Sequence, residues 1–287
     1  MKRFSAWLFA PAPVERLAAL RIAIGAYAFI YTLSRVRALV TAYAGSFEAV
    51  GVVRMMVPSS LELALVVATL LLLALFTLGV EYWLTAPLAA AAVLWTLTYR
   101  NAWGQVFHVE NLLVLHVIAL AAAPAADVWA LSRRRVTAGS YGWAIKLLVV
   151  LTVATYVLAG IAKLRLAGGA WLDGEQLRNQ IAIDNGRKLL LGEAPARLAL
   201  PLLAHPAWFT AASIATLGIE LGAPIALLGG RLGRAWALAA WLFHAGVLAL
   251  MHIGFPYPLF GVAFLPLLRP DRWIAGMRQG ARGVQTR

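Results

Sequence analysis

The sequence predicts an all-α fold, a polytopic integral membrane helix bundle of about eight transmembrane helices with a re-entrant or interfacial segment after the fifth. Hydrophobic residues make up 62% of the 287 residues, and the mean hydropathy is +0.79. Charged residues make up 13%, about half of the share in a soluble domain. Because no linker divides the chain and no period of about 20–50 residues repeats, residues 1–287 are expected to form a single domain.

Eight stretches are predicted as spans, because a transmembrane helix needs about 20 mostly apolar residues. The predicted spans lie near 17–38, 61–80, 84–100, 106–124, 143–163, 208–228, 235–252 and 255–269. The third and the eighth are the shortest. Before the first span, the basic, proline-interrupted N-terminus is typical of an interfacial segment rather than of a cleaved signal peptide.

The longest stretch between predicted spans, 164–207, is interpreted as an extracytoplasmic cap. It begins with Gly168 and Gly169, which interrupt the preceding helix, and continues with Trp171 and spaced leucine and isoleucine residues. This pattern is typical of a re-entrant or interfacial helix. An ordinary surface loop is the alternative.

The distribution of basic residues favours one orientation of the spans. Of the 25 lysines and arginines, fourteen belong to the side that holds the two termini and the loops 81–83, 125–142 and 229–234. The opposite side holds nine besides Lys163, five of them in 164–207. Cytoplasmic loops carry an excess of basic residues, and long translocated segments tolerate charge. Both termini are therefore expected in the cytoplasm.

Several classes of function are excluded by what the sequence lacks. The absence of cysteine excludes disulfides, thiolate metal sites and thiol-based quinone chemistry. The sequence has no G-x-x-x-x-G-K-[ST] phosphate loop, which argues against nucleotide-driven transport, and no G-x-S-x-G nucleophile elbow, which argues against a serine hydrolase. It also has no D-D-x-x-D cluster of the kind found in metal-dependent prenyl transferases. The net charge of +13 comes without a basic stripe and interleaved aromatic residues. We therefore expect membrane lipids as partners, and no nucleic acid.

Three polar stretches are expected at the same extracytoplasmic level of the bundle. "YRNAWGQVFHVEN" opens the fourth predicted span, Lys163 closes the fifth, and "MHIGFPYP" closes the seventh. Polar groups that converge at the mouth of a helix bundle indicate a binding site. The side chains expected to bind substrate there are His108, Glu110, Asn111, Trp171 and His252. For His108, Glu110 and Asn111, the alternative is that they are polar residues hydrated at the membrane interface.

Lys163 is the candidate catalytic residue. Arginine supplies 21 of the 25 basic residues, so a lysine at the end of a predicted span is unusual for this chain. Arginine keeps its proton in proteins, whereas a desolvated lysine loses it more readily and then acts as a base. The alternative is a snorkelling lysine whose charge suits the C-terminus of a helix.

Two further groups of polar residues are weaker candidates. His108 and Glu110 are two residues apart and would point to opposite sides of a helix, so a metal site is poorly supported and no metal is expected. Glu220 and His244 fall near the middle of the sixth and seventh spans, where each needs a partner. We interpret them as a membrane-embedded polar pair, for which a structural hydrogen bond and a proton relay are both open.

Two blocks of the sequence resemble a known family. In "YVLAGIAKLRLAGGAWLDG", an aromatic-x-x-A-G-x-x-K-L run that contains Lys163 is followed by W-x-x-G; "FHAGVLALMHIGF" runs from an F-H pair to I-G-F. Glu220 followed by Pro224 fits the same pattern. In these blocks the chain is similar to the horizontally transferred transmembrane (HTTM) domain proteins, bacterial relatives of vitamin K-dependent gamma-carboxylase.

The resemblance implies an integral enzyme of the bacterial cytoplasmic membrane. In the family pattern, the lysine that matches Lys163 is the base that deprotonates reduced vitamin K, and epoxidation is coupled to carboxylation. The implied cofactor is reduced vitamin K or another quinol, and the implied partner is a protein or peptide substrate outside the cytoplasm. The competing interpretation is a non-catalytic lipid- or quinone-binding membrane module, or the membrane subunit of a partner enzyme.

Overall fold

The computed structural model describes residues 2–41, 57–103, 108–132 and 141–270. These residues are mainly helical and contain no β-strand. The all-α prediction is therefore confirmed for this part of the chain. Its α-helices are α1 (Lys2–Leu8), α2 (Val14–Ser34), α3 (Val36–Val40), α4 (Ser59–Leu78), α5 (Tyr82–Thr98), α6 (Asn111–Ala121), α7 (Gly142–Ala167), α8 (Glu175–Leu190), α9 (Ala199–Leu202), α10 (Pro206–Leu221), α11 (Gly230–Met251) and α12 (Pro256–Leu259). Its 3-10 helices are Tyr99–Trp103, Gly168–Trp171, Ala223–Leu228 and Val262–Leu267.

Four helical segments of the described chain are long and apolar enough to cross a membrane. They are Val14–Ser34, Ser59–Leu78, Gly142–Trp171 and Gly230–Met251. These segments correspond to the first, second, fifth and seventh predicted spans. The prediction of a membrane protein with transmembrane helices is thus supported by helix length and composition.

The other predicted spans are shorter in the structure, so the expected number of eight is not confirmed. Helices α5, α6 and α10 have 17, 11 and 16 residues. The stretch 255–269 forms only α12 and the 3-10 helix Val262–Leu267. Prolines at positions 256, 258 and 266 explain the break, because proline lacks the backbone N–H that a continuous helix requires.

The described residues divide into two compact units, one drawn from Met1–Leu148 and Leu268–Arg287 and the other from Val149–Leu267. The boundary falls inside α7, so this helix contributes to both units. A single domain over residues 1–287 remains a prediction.

In the first unit, α2, α4, α5 and α6 pack around an apolar core. Arg21 of α2 is fully buried there and donates hydrogen bonds to the carbonyl oxygens of Ala125 (2.9 Å) and Trp129 (2.5 Å). The hydroxyls of Thr69 and Thr96 lie 2.8 Å apart between α4 and α5. These hydrogen bonds join elements that are far apart in the sequence and help to fix the helix packing.

In the second unit, α7 packs against α11 and the 3-10 helices that follow α10 and α12. Tyr156 of α7 meets Trp236 of α11 edge to face, with ring centroids 4.9 Å apart, and Phe264 completes this aromatic cluster. Edge-to-face packing adds about 0.5–1.5 kcal/mol to the burial of such rings. Tyr156 is therefore fixed in place at the centre of the unit.

The segment 164–207 contains a 16-residue helix, α8, rather than an ordinary surface loop. Asn185 donates to the carbonyl oxygen of Leu250 (2.9 Å) and accepts from the N–H of Ala196 (2.7 Å). Lys188 donates to the carbonyl oxygen of Met251. Because the last carbonyls of a helix have no partner within it, α8 completes the C-terminus of α11. A re-entrant or interfacial placement of α8 remains a prediction.

Candidate functional site

Helix α7 carries the candidate base on the same face as two other residues of the family-like block. Tyr156, Gly160 and Lys163 are spaced at i, i+4 and i+7, which places them on one side of a helix. The sequence predicted Lys163 at the end of this helix. In the structure α7 continues to Ala167, so Lys163 lies one turn before its end. The missing side chain of Gly160 lets α10 approach, because a Cβ at this position would lie 3.1 Å from Cβ of Glu220.

Lys163 forms an ion pair with Glu220 of α10. Its Nζ lies 2.5 Å from Oε1 of Glu220, and the two side chains are 23% and 3% exposed, respectively. The lysine Nζ also lies 5.3 Å from the ring centroid of Trp171, within cation–π range. The carboxylate is therefore enclosed by protein, and the accessible member of the pair is the lysine.

His244 is held by Tyr156 and not by Glu220. The Tyr156 hydroxyl and Nε2 of His244 are 2.8 Å apart, and the rings of His244 and Phe255 pack with centroids separated by 5.1 Å. A direct Glu220–His244 hydrogen bond, one of the two interpretations of this pair, does not form, because Glu220 contacts Lys163 and His244 contacts Tyr156. Glu220 nevertheless lies within electrostatic reach of Tyr156, so the two pairs are neighbours.

Three buried polar atoms of this site have no hydrogen-bond partner among the residues that the structure describes. They are Oε2 of Glu220, Nε1 of Trp171 and Nδ1 of His244. Buried polar groups in proteins are nearly always hydrogen-bonded, so each unsatisfied one calls for an explanation. Around Lys163 and Tyr156, a ligand would therefore find a hydrogen-bond acceptor in Glu220, a donor in Trp171 and a ring nitrogen in His244.

His252 is placed differently from Trp171. It caps the C-terminus of α11 in the left-handed conformation (φ 47°), and its side chain is exposed. Within the described ranges it takes part in no side-chain hydrogen bond or ion pair. Of these two residues, Trp171 therefore lies beside Lys163, whereas His252 forms no side-chain hydrogen bond with Lys163 in the described chain.

The predicted residues of the first unit form a separate cluster. Glu110 is 5% exposed and its Oε1 accepts hydrogen bonds from the Tyr31 hydroxyl (2.7 Å) and from Nη1 of Arg35 (3.2 Å). Asn111 is the exposed first residue of α6, and its N–H donates to the carbonyl oxygen of the exposed His108 (3.3 Å). Convergence of these residues with Lys163 remains a prediction, because the two clusters belong to different units.

A metal-binding arrangement is not seen in the described chain. Within residues 2–41, 57–103, 108–132 and 141–270, no three His, Cys, Asp or Glu side chains are grouped so as to hold a metal ion. His108 precedes α6 and Glu110 is its N-cap, so neither lies within the helix that the metal interpretation required.

Sequence reasoning missed Tyr31 and Arg35 as partners of Glu110, and Tyr156 as the partner of His244. The sequence does contain a pattern that indicates the Tyr31 and Arg35 positions. Tyr27, Tyr31 and Arg35 are spaced four residues apart, so they share one face of α2 and of the residue that follows it. No comparable signal joins Tyr156 to His244, which are 88 residues apart.

Comparison of the chain with protein-family models, with curated proteins and with solved structures gives no match in any of the three. The HTTM resemblance therefore remains an expectation from the sequence.

Proposed function

We propose that this protein is an integral membrane enzyme in which Lys163 acts as a base on a quinol or a similar lipid-soluble substrate. The observation that carries the proposal is the 2.5 Å ion pair between a partly accessible lysine and a buried glutamate. A general base needs both access to the substrate and a group that sets its protonation state. Lys163 has the access, and Glu220 is the group in contact with it.

The pair moves one proton inward. Lys163 passes a proton to Glu220 along their hydrogen bond and becomes a neutral amine. The amine then takes up the proton of a hydroxyl group at the site, which restores the ammonium charge. One proton has then moved from that hydroxyl to Glu220, and general-base transfer of this kind contributes about 10²–10⁴-fold to a rate.

The side chains around Lys163 fit a reduced quinone. Trp171 offers an aromatic face beside the ammonium, and its buried indole N–H, unpartnered in the described chain, is a donor for a ring oxygen. Because Lys163 belongs to the candidate span Gly142–Trp171, the substrate would reach it from the lipid phase. When bound, such a quinol would supply the reducing chemistry that the HTTM resemblance implies, with oxygen and carbon dioxide as co-substrates.

A non-catalytic quinone- or lipid-binding module is the second candidate, and the same ion pair favours it in part. A lysine paired with a buried carboxylate joins α7 to α10 and needs no chemistry to explain it. In that case Lys163 and Trp171 would bind the head of a lipid-soluble ligand without deprotonating it.

Oxygen-dependent epoxidation of reduced vitamin K by the purified, detergent-solubilised protein separates the two candidates. The enzyme proposal predicts epoxide from the wild type and none from Lys163→Ala, with both proteins monodisperse and helical. Saturable binding of a quinone without epoxide from folded wild type would support the module. Absence of both would contradict the quinone assignment.

A further inference from the structure

Lys163 combines a carboxylate partner with access from outside the protein, and two other lysines each have only one of these features. Lys146 is partly exposed, but it lies over the Trp7 ring, 4.6 Å from its centroid, and forms no ion pair in the described chain. Lys188 pairs with Asp184, but its side chain is only 9% exposed. Of the three lysines whose side chains the structure describes, Lys163 is therefore the one suited to react with a ligand.

The carboxylate beside Lys163 gives the lysine a way to become a neutral amine. Oε1 of Glu220 lies 2.5 Å from Nζ, so the ammonium proton can pass directly to the carboxylate. An ionised carboxylate is costly to bury, whereas a carboxylic acid and a free amine carry no charge. The free amine is the form of lysine that attacks the carbon of a carbonyl group.

The surface next to Lys163 is apolar. Leu166 lies three residues further along α7, on the same side of the helix, and is 88% exposed. Both residues belong to the candidate span Gly142–Trp171. Because an exposed leucine of a membrane span contacts lipid, a ligand that reaches Nζ would come from the bilayer.

A protonated Schiff base at Lys163 would have a counter-charge and little contact with water. Its nitrogen would take the place of the ammonium nitrogen, next to the Glu220 carboxylate. Schiff bases hydrolyse in water, and sites that exclude water protect reactive intermediates of this kind. The Lys163 side chain is 23% exposed, and the neighbouring Glu220 and Trp171 side chains are almost completely buried.

We propose that Lys163 is a covalent binding site for a lipid-soluble aldehyde, which it holds as a protonated Schiff base with Glu220 as the counter-ion. The ammonium gives one proton to Glu220, and the free amine adds to the aldehyde carbon to form a carbinolamine. Glu220 returns the proton to the carbinolamine hydroxyl, which leaves as water while the C=N bond forms. One ammonium and one aldehyde thus give one iminium and one water, with no oxidant or reductant. The proposal rests on the ion pair and not on the quinol assignment.

Reductive trapping with hexadecanal tests the proposal. The full-length protein in detergent is incubated with hexadecanal and sodium cyanoborohydride, which transfers hydride to the carbon of a protonated imine and leaves a stable secondary amine. Peptide mass spectrometry then locates the hexadecyl group among the four lysines of the chain. We expect Lys163 to be modified at least about tenfold faster than Lys146 or Lys188, because general acid–base assistance of this step is available only there.

Two variants control for the position of the lysine. Lys163→Arg should abolish the adduct on the peptide that contains residue 163, because a guanidinium does not form a Schiff base under these conditions. Lys146→Arg, on the same helix, should leave the rate of modification of Lys163 unchanged.

A chromophoric aldehyde tests Glu220 as the counter-ion. The protonated imine of para-dimethylaminocinnamaldehyde absorbs at a longer wavelength than the unprotonated imine. At neutral pH the wild type should show the long-wavelength band, and Glu220→Gln should reduce it about tenfold relative to the unprotonated band. A merely structural role of Glu220 would lower the amount of adduct without changing the ratio of the two bands.

The wild-type comparison remains decisive even if a variant does not fold. Equal modification of Lys163 and Lys146 in the wild type would overturn the proposal. Trapping of the water-soluble aldehyde propanal at Lys163 as fast as hexadecanal would overturn the assignment to a lipid-soluble ligand. Epoxide formation without a Lys163 adduct would overturn this proposal alone, whereas an adduct without epoxide would support it and contradict the proposed function.

Discussion

The coupling between Lys163 and Glu220 is the residue-scale feature on which the candidate site depends. Glu220 is almost completely buried, so its charge is stable only with a cation in contact. Removing one partner of a buried ion pair leaves the other charge buried without a counter-charge. The resulting loss of stability is larger than the net stabilisation that the intact pair provides. The Lys163 side chain is 23% exposed, so water solvates the ammonium more readily than it solvates the buried Glu220 carboxylate.

A double-mutant cycle measures this coupling. We expect Lys163→Met to destabilise the protein more than Glu220→Gln, because it leaves a carboxylate buried without a cation. The coupling energy should be about 0.5–3 kcal/mol. Reversible denaturation of the four proteins in the same detergent gives the value, and strictly additive losses would contradict a direct interaction.

At the scale of elements, the close approach of α7 and α10 depends on Gly160. A methyl group there would meet Cδ2 of Leu221 at 2.8 Å and Cβ of Glu220 at 3.1 Å. We predict that Gly160→Ala costs about 1–3 kcal/mol from overpacking, more than the ~1 kcal/mol that alanine gains over glycine in a helix.

Gly246 of α11 is the matched control, because no atom lies within 4 Å of a Cβ built there. Gly246→Ala should leave the melting temperature unchanged or raise it. A Gly160→Ala variant as stable as Gly246→Ala would show that α7 and α10 are not in close contact.

The attachment of α8 to the C-terminus of α11 gives a second element-scale prediction. Asn185 is 1% exposed and bonds to Ile181, Leu250 and Ala196. Asn185→Ala leaves buried backbone groups unsatisfied, at a cost of about 1–3 kcal/mol each.

Hydrogen exchange of α8 checks this prediction. Asn185→Ala should raise the exchange rate of amides in Glu175–Leu190, whereas Asn179→Ala, an exposed position of the same helix, should not. Unchanged exchange rates of the α8 amides in Asn185→Ala would mean that apolar contacts alone keep α8 packed.

At the scale of the whole molecule, the orientation predicted from basic residues remains to be tested, and the absence of cysteine makes the test simple. Leu190→Cys introduces a thiol at a position 89% exposed in α8, and Leu131→Cys at a position 72% exposed between α6 and α7. An impermeant maleimide should label Leu190→Cys on intact cells and Leu131→Cys only after permeabilisation. The reverse pattern would place both termini outside the cytoplasm.

Composition and hydropathy were sufficient to predict the helical class and the long apolar helices. The predicted stretches 61–80 and 235–252 correspond to α4 and α11, whose starts differ from the prediction by two and five residues. Helix periodicity does not specify which helices pack together, so the Lys163–Glu220 and Arg35–Glu110 pairs, 57 and 75 residues apart, could not be derived from it. The stretch 255–269 is apolar enough to predict a span, but its prolines prevent a continuous helix there.

The measurement that most directly tests Lys163 as a base compares Lys163→Arg with Lys146→Arg in the epoxidation assay. Both lysines belong to α7, and arginine preserves the positive charge at either position but does not deprotonate. We expect Lys146→Arg to retain wild-type epoxide formation and Lys163→Arg to reduce it by about 10²-fold or more while remaining folded. Full activity of Lys163→Arg would show that Lys163 is not the base, because a permanently charged residue does not act as one.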